Sequence, residues 1–102
     1  MTQDEARQAL AQCRVKIDAL DVEIVELLNR RARVVEYIGE IKREAGLPVY
    51  EPKREDEVFH NVATHNRGPL PEAAIRRLFE RIIDEARALQ RDRMLSREKE
   101  SQ

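Results

Sequence analysis

Apolar residues recur every seven positions over the first 45 residues, and this repeat constrains the fold more than any other feature of the chain. Two apolar series alternate along it, namely Leu10, Ile17, Ile24, Ile38 and Ala45, and Cys13, Leu20, Leu27, Val34 and Ile41. Such a repeat predicts one helix of about 40 residues whose apolar stripe packs against another helix. We call this stripe the seam, and we expect Cys13 to be a small buried side chain within it.

Arg31 interrupts the seam, because it occupies a position of the first series where an apolar residue is expected. A buried cation without a partner costs several kcal/mol. Either a carboxylate of the chain pairs with it, or the seam receives an anion from outside. The two alternatives lead to different functions.

The predicted first helix is too long for a compact single domain. It opens at Thr2, with Glu5 three residues later as in a capping box, and it stops at Gly46. Its length is about 60 Å, whereas a compact domain of 100 residues has a radius of gyration of about 13 Å. A second copy of the chain is the simplest cover for the seam. Gly39 costs this helix about 1 kcal/mol relative to alanine. The close approach of another element would explain it, and the alternative is a defect without a function.

Two shorter helices follow, so the expected fold class is all-α with three helices, and a second copy of the chain is expected to cover the seam. The second helix starts near Pro52 and ends at the breaker cluster 66–69. The third starts at Pro71 and keeps an apolar stripe at helical spacing as far as Gln90. Residues 1–90 are therefore predicted to be one helical domain. Residues 91–102 are predicted to be a charged tail that frays or serves as a linker.

Composition excludes several classes of function. The chain of 102 residues has 19 basic and 20 acidic side chains, so no global field attracts nucleic acid or a membrane surface. One cysteine cannot form an internal disulfide, and no apolar run approaches the length of a membrane span. A cytoplasmic setting is the default expectation. His60 and His65 are a poor metal pair, so we expect no metal site, and no nucleophile motif or phosphate loop occurs.

The polar residues on apolar faces predict a cationic pocket shared between two chains. Lys42 lies about 16 Å from Arg31 along the helix, and Arg14 about 25 Å from it on the other side. If an antiparallel partner crosses near residue 25, its Arg14 lies between Arg31 and Lys42. Such a pocket suits a small molecule with more than one carboxylate. The alternative is that these side chains are solvated or paired within the chain.

Taken in order, five segments of the chain resemble the all-helical chorismate mutase family. They are 14–21 (RVKIDALD), 27–31 (LLNRR), 39–42 (GEIK), 48–55 (PVYEPKRE) and 79–90 (FERIIDEARALQ). The resemblance implies an intertwined homodimer with shared active sites, which converts chorismate to prephenate without a cofactor in aromatic amino-acid biosynthesis. It also implies a partner enzyme of the shikimate pathway, because the family's domain occurs fused to such enzymes.

The resemblance further assigns roles to the polar residues. Arg14 of one subunit and Arg31 of the other would bind the two carboxylates of the substrate. Lys42 and Gln90 would donate hydrogen bonds to its ether oxygen. Glu55 would accept a hydrogen bond from the ring hydroxyl.

Three further positions would complete the substrate pocket. Glu51 would shape the side near the ring hydroxyl, and Arg54 would line the pocket. Ala86 stands where some members of the family have a serine that contacts a carboxylate. We therefore expect one substrate contact fewer there.

Two alternative functions use the same features. An isochorismate pyruvate lyase would need nearly the same charges on the same scaffold. A helical dimerisation or regulatory module without catalysis would use seam arginines to set register. Three measurements distinguish the mutase, the lyase and the non-catalytic module. They are turnover of chorismate, turnover of isochorismate and the effect of replacing Arg31.

Overall fold

The computed structural model describes the backbone of residues 1–100 and all of their side chains except those of residue 94 and residues 96–100. Three helices make up the fold, namely α1 (Gln3–Ala45), α2 (Pro52–His65) and α3 (Glu72–Glu100). No strand occurs among residues 1–100. The prediction of an all-α fold with one long and two shorter helices is confirmed. No helix in this range has a stretch apolar enough, at the necessary length, to cross a membrane.

Local sequence signals explain both ends of α1. The signal at the N-terminus is a capping residue. The Glu5 N–H donates a hydrogen bond of 3.1 Å to Oγ1 of Thr2, so Thr2 caps the helix as predicted. Asp4 and Glu5 add negative charge to the first turn, where the helix dipole favours it.

A glycine terminates α1 at its other end. Gly46 has a φ of 68°, which is a left-handed conformation. This conformation is strained in residues that have a Cβ, and glycine has none. The Gly46 N–H donates to the Arg43 carbonyl (3.3 Å), and the Leu47 N–H donates to the Lys42 carbonyl (2.8 Å). These two bonds form a Schellman motif. The motif fixes the turn of helix that carries Lys42 and turns the chain toward α2.

The structure divides into two compact units, residues 1–33 and the residues from Val34 onward. The first unit is the N-terminal part of α1. Its seam residues are 50–57% exposed, and they comprise Leu10, Ile17, Leu20, Ile24 and Leu27. Cys13 is exposed as well, contrary to the expectation that it is buried, because in a single chain the seam faces solvent.

The second unit contains the end of α1 together with α2 and α3. The two shorter helices pack against each other, and Ile83 of α3 is buried. Gln90 of α3 packs against α1 at Gly39, where an added Cβ would lie 3.4 Å from Cγ of Gln90. An added Cβ would thus make an ordinary van der Waals contact with a side chain, so this contact does not by itself require a glycine at position 39.

α3 is longer than its apolar stripe predicts. The apolar stripe predicts a helix only as far as Gln90, whereas α3 continues to Glu100. Residues 91–100 are rich in Arg, Glu, Lys, Met and Leu, which are strong helix formers even without an apolar face. Arg93 also pairs with Glu36 of α1 at 2.9 Å. The fraying expected over 91–100 is thus wrong for the backbone, residues 101–102 lie outside the described residues, and the linker role stays a prediction.

Candidate active site

Lys42 brings a half-buried ammonium group to the last turn of α1, and its side chain is 13% exposed. Nζ donates a hydrogen bond of 3.1 Å to the carbonyl oxygen of Val49. The same atom lies 3.3 Å from Oε1 of Glu51. An ammonium group has three N–H donors, so these two contacts leave one for a further acceptor.

Gln90 supplies a second donor from α3, and it is 8% exposed. Nε2 donates a hydrogen bond of 3.1 Å to the carbonyl oxygen of Val35. Because a carbonyl only accepts, this bond fixes which end of the side-chain amide faces α1. The amide has a second N–H, which this bond does not use.

The two donors lie close together along α1. Val35, Gly39 and Lys42 are separated by four and three residues, so they share one helix face. Gln90 contacts this face at Val35 and Gly39, and Lys42 follows Gly39 by about 4.5 Å along the axis. Two N–H donors anchored to main-chain carbonyls can stabilise negative charge that develops on an oxygen atom.

Two glutamates lie on the α1–α2 connection and at the start of α2. Glu51 immediately precedes α2 and pairs with Lys42. Glu55 lies one turn further on, and its side chain is 18% exposed. Oε1 of Glu55 accepts a charge-assisted hydrogen bond from Nη2 of Arg87 on α3. The guanidinium of Arg87 also lies over the ring of Tyr50, 5.1 Å from its centroid.

The remaining predicted residues have less specific surroundings. Arg54 is 64% exposed and pairs with Glu57, one turn along α2, at 3.4 Å. Ala86 is half-buried on α3, one turn before Gln90. Arg14 is exposed in the first unit. Arg31 is half-buried there and already has an interaction within the chain.

A cavity of about 370 Å³ lies between α2 and α3. Its charged lining consists of four carboxylates and one guanidinium, namely Glu55, Asp56, Glu80, Asp84 and Arg87. Since carboxylates outnumber the single cation, this cavity repels a dianion. Among the described residues, no group of three or more His, Cys, Asp or Glu side chains is placed to hold a metal ion.

Sequence reasoning missed Arg87, although a signal was present. Arg87 follows Ile83 by four residues and precedes Gln90 by three, so it lies on the apolar stripe of α3. Arg31 and Lys42 were selected because they interrupt apolar faces. The same criterion selects Arg87. The main-chain acceptors at Val35 and Val49 carry no such signal, because every residue has a carbonyl group.

The chain is similar to known proteins in sequence. A family model described as chorismate mutase type II matches residues 13–91. A bifunctional chorismate mutase/prephenate dehydratase from Aquifex aeolicus is 36% identical over 88 residues, which cover 82% of this chain and 24% of that protein. The chain thus spans about a quarter of the length of this curated relative.

The chain is also similar to solved structures over most of their length. A chorismate mutase from Thermus thermophilus (form II) superimposes with a TM-score of 0.80 at 37% identity, covering 81% of this chain and 94% of that one. A chorismate mutase from Helicobacter pylori in complex with prephenate gives a TM-score of 0.77 at 29% identity, covering 83% and 92%.

Proposed function

Since the chain belongs to the chorismate mutase type II family, we propose that it converts chorismate to prephenate. The reaction is a Claisen rearrangement within one molecule, in which a C–O bond breaks while a C–C bond forms. Negative charge grows on the ether oxygen as the C–O bond breaks. A protein accelerates such a step by holding the reactive conformer and by stabilising that charge.

The anchored pair Lys42 and Gln90 is the observation that carries the proposal. Each side chain is largely buried, each is held by a main-chain carbonyl, and each has an N–H beyond the one that bond uses. A preorganised donor at developing charge is worth about 3–4 kcal/mol. Two such donors and a fixed conformer reach the roughly 8 kcal/mol that enzymes supply at minimum.

The two carboxylates of chorismate need cations as well. We assign these to Arg14 and Arg31, with Arg14 supplied by a second copy of the chain. A guanidinium matches a carboxylate with two parallel N–H donors, which adds orientation to charge. Holding both carboxylates would restrict rotation of the side chain that carries one of them.

The remaining predicted residues receive supporting roles. Glu55 accepts a hydrogen bond from the ring hydroxyl, and Glu51 holds Lys42 in place through the contact at 3.3 Å. Arg54 and Ala86 line the pocket. Because Ala86 has no hydroxyl, it gives the substrate no hydrogen bond there.

The assembly proposed for this chemistry is an intertwined homodimer with shared active sites. The exposed seam supports it, because burying five large apolar side chains at about 1.5–3 kcal/mol each drives association. We further propose a cytoplasmic setting and a partner enzyme of the same pathway. The bifunctional relative from Aquifex aeolicus, whose name joins the mutase to a prephenate dehydratase, supports the latter.

A turnover assay on the purified chain tests the function. We expect chorismate absorbance to fall with stoichiometric formation of prephenate, and no release of pyruvate from isochorismate. Gln90→Leu, prepared in the same way, controls for mutase from the expression host, because it keeps the bulk of the side chain without its donor. Wild-type protein no faster than this variant, or one that releases pyruvate instead, would refute the proposal.

A further inference from the structure

Arg87 is a half-buried cation that has no role in the proposed reaction as described above. Its side chain is 36% exposed, and Nη2 donates to Oε1 of Glu55, a residue 32 positions away on another helix. The guanidinium is also stacked on the ring of Tyr50. Three separate segments, namely the α1–α2 connection, α2 and α3, therefore meet at this one side chain.

The charges around Arg87 show which carboxylate it serves. Four carboxylates line the cavity between α2 and α3, and Arg87 is the one cation among the described lining residues. Its ion pair is with Glu55, although Asp84 lies only one turn away on the same helix. The ion pair with Arg87 therefore offsets the repulsion between the Glu55 carboxylate and the other carboxylates of the cavity.

The geometry of the pair also leaves one carboxylate oxygen of Glu55, Oε2, as the acceptor for a further hydrogen bond. Arg87 holds Oε1, while in the described part of the chain Oε2 has no hydrogen-bond partner. A guanidinium is planar, and stacking on Tyr50 restricts its rotation. The bond to Oε1 therefore restricts the carboxylate plane and with it the direction in which Oε2 accepts.

We propose that Arg87 is a positioning residue that orients the Glu55 carboxylate for the ring hydroxyl of the substrate. The inference rests on the proposed function, in which Glu55 accepts a hydrogen bond from the ring hydroxyl of the substrate. It assigns no direct substrate contact to Arg87. Carboxylates dominate the lining of the cavity between α2 and α3, so we place the carboxylates of the substrate with the cations and not in this cavity.

A comparison of two substrates tests this role. Arg87→Met is assayed with chorismate and with an analogue that lacks the ring hydroxyl. We expect kcat/KM for chorismate to fall by about 10- to 100-fold, since a misplaced contact costs about that much. Turnover of the analogue should stay near the wild-type value, because the analogue has no hydroxyl for Glu55 to orient. Arg87→Lys keeps the charge without the planar stack and should be intermediate.

Arg81→Met is the matched control, because Arg81 lies on the same helix and pairs with Glu85 at 2.8 Å on an exposed surface. It should turn over both substrates as the wild type does. Equal losses on both substrates in Arg87→Met, or in Arg87→Lys should Arg87→Met fail to fold, would show a structural role and overturn the inference. Wild-type protein that leaves chorismate unchanged would instead overturn the proposed function itself.

Discussion

Lys42 reaches the site with two of its three donors already engaged. Val49 binds one through its carbonyl oxygen, and Glu51 lies close enough to neutralise the charge. These contacts offset the desolvation of a side chain that is largely buried. They also fix Nζ before any ligand arrives, which is what preorganised stabilisation of charge requires.

Replacing Lys42 by methionine should therefore affect the chemical step more than substrate affinity. Methionine keeps a long apolar stem but has no donor, so we expect kcat to fall by about 10²–10³-fold. Steady-state kinetics with chorismate measure this. Lys53→Met, on the exposed surface of α2, is the control and should retain wild-type kinetics. A Lys42→Met variant with more than a third of the wild-type kcat would contradict the assigned role.

Two glycines of α1 show how one element balances local and tertiary demands. Gly39 has an ordinary helical backbone conformation and contacts the side chain of Gln90. Gly46 adopts a left-handed conformation that ends the helix. At Gly39 an added Cβ would make a van der Waals contact at 3.4 Å with Cγ of Gln90. At Gly46 an added Cβ would meet no atom within 4 Å, so its cost is a matter of backbone conformation alone.

Alanine at these positions should change stability in opposite directions. Gly39→Ala should raise the free energy of unfolding by up to about 1 kcal/mol, because alanine is the better helix former. Gly46→Ala should lower it by about 1–2 kcal/mol, because a Cβ is disfavoured in the left-handed region. Urea unfolding at one fixed protein concentration measures both. Changes of the same sign would disprove the account of α1.

Local signals predicted the helices better than the contacts between them. Helix ends are set by a side-chain cap at Thr2, by the fixed φ of Pro52 in the first turn of α2 and by the left-handed Gly46. All three signals are local, and the structure has those ends within a residue or two of the predicted ones. The end of α3 was missed because a stripe that loses its apolar residues can remain helical, here with Arg93 bound to Glu36. The bond between Arg87 and Glu55 depends on how α2 and α3 pack, which no local pattern specifies.

For the molecule as a whole, the seam is an apolar stripe that a single chain leaves exposed in the first unit. A heptad repeat predicts that its stripe is covered by another helix, and the sequence alone does not say which one. In the first unit the seam residues, Cys13 included, are exposed. A large apolar surface of this kind is typical of interaction sites. A second copy of the same seam would match it in length and periodicity, which is the reason for proposing a homodimer.

A charge in the middle of the seam should separate the two chains and abolish activity together with the dimer. Leu20→Glu buries one carboxylate per chain near the centre of the proposed interface, at a cost of several kcal/mol for each. Sedimentation velocity should show a dimer for the wild type and a monomer for the variant, and the variant should lose chorismate turnover because Arg14 no longer reaches the other chain's site. Gln12→Glu introduces the same charge outside the seam and should remain dimeric and active. A wild-type monomer with full activity, or a Leu20→Glu monomer that keeps it, would show that one chain is enough.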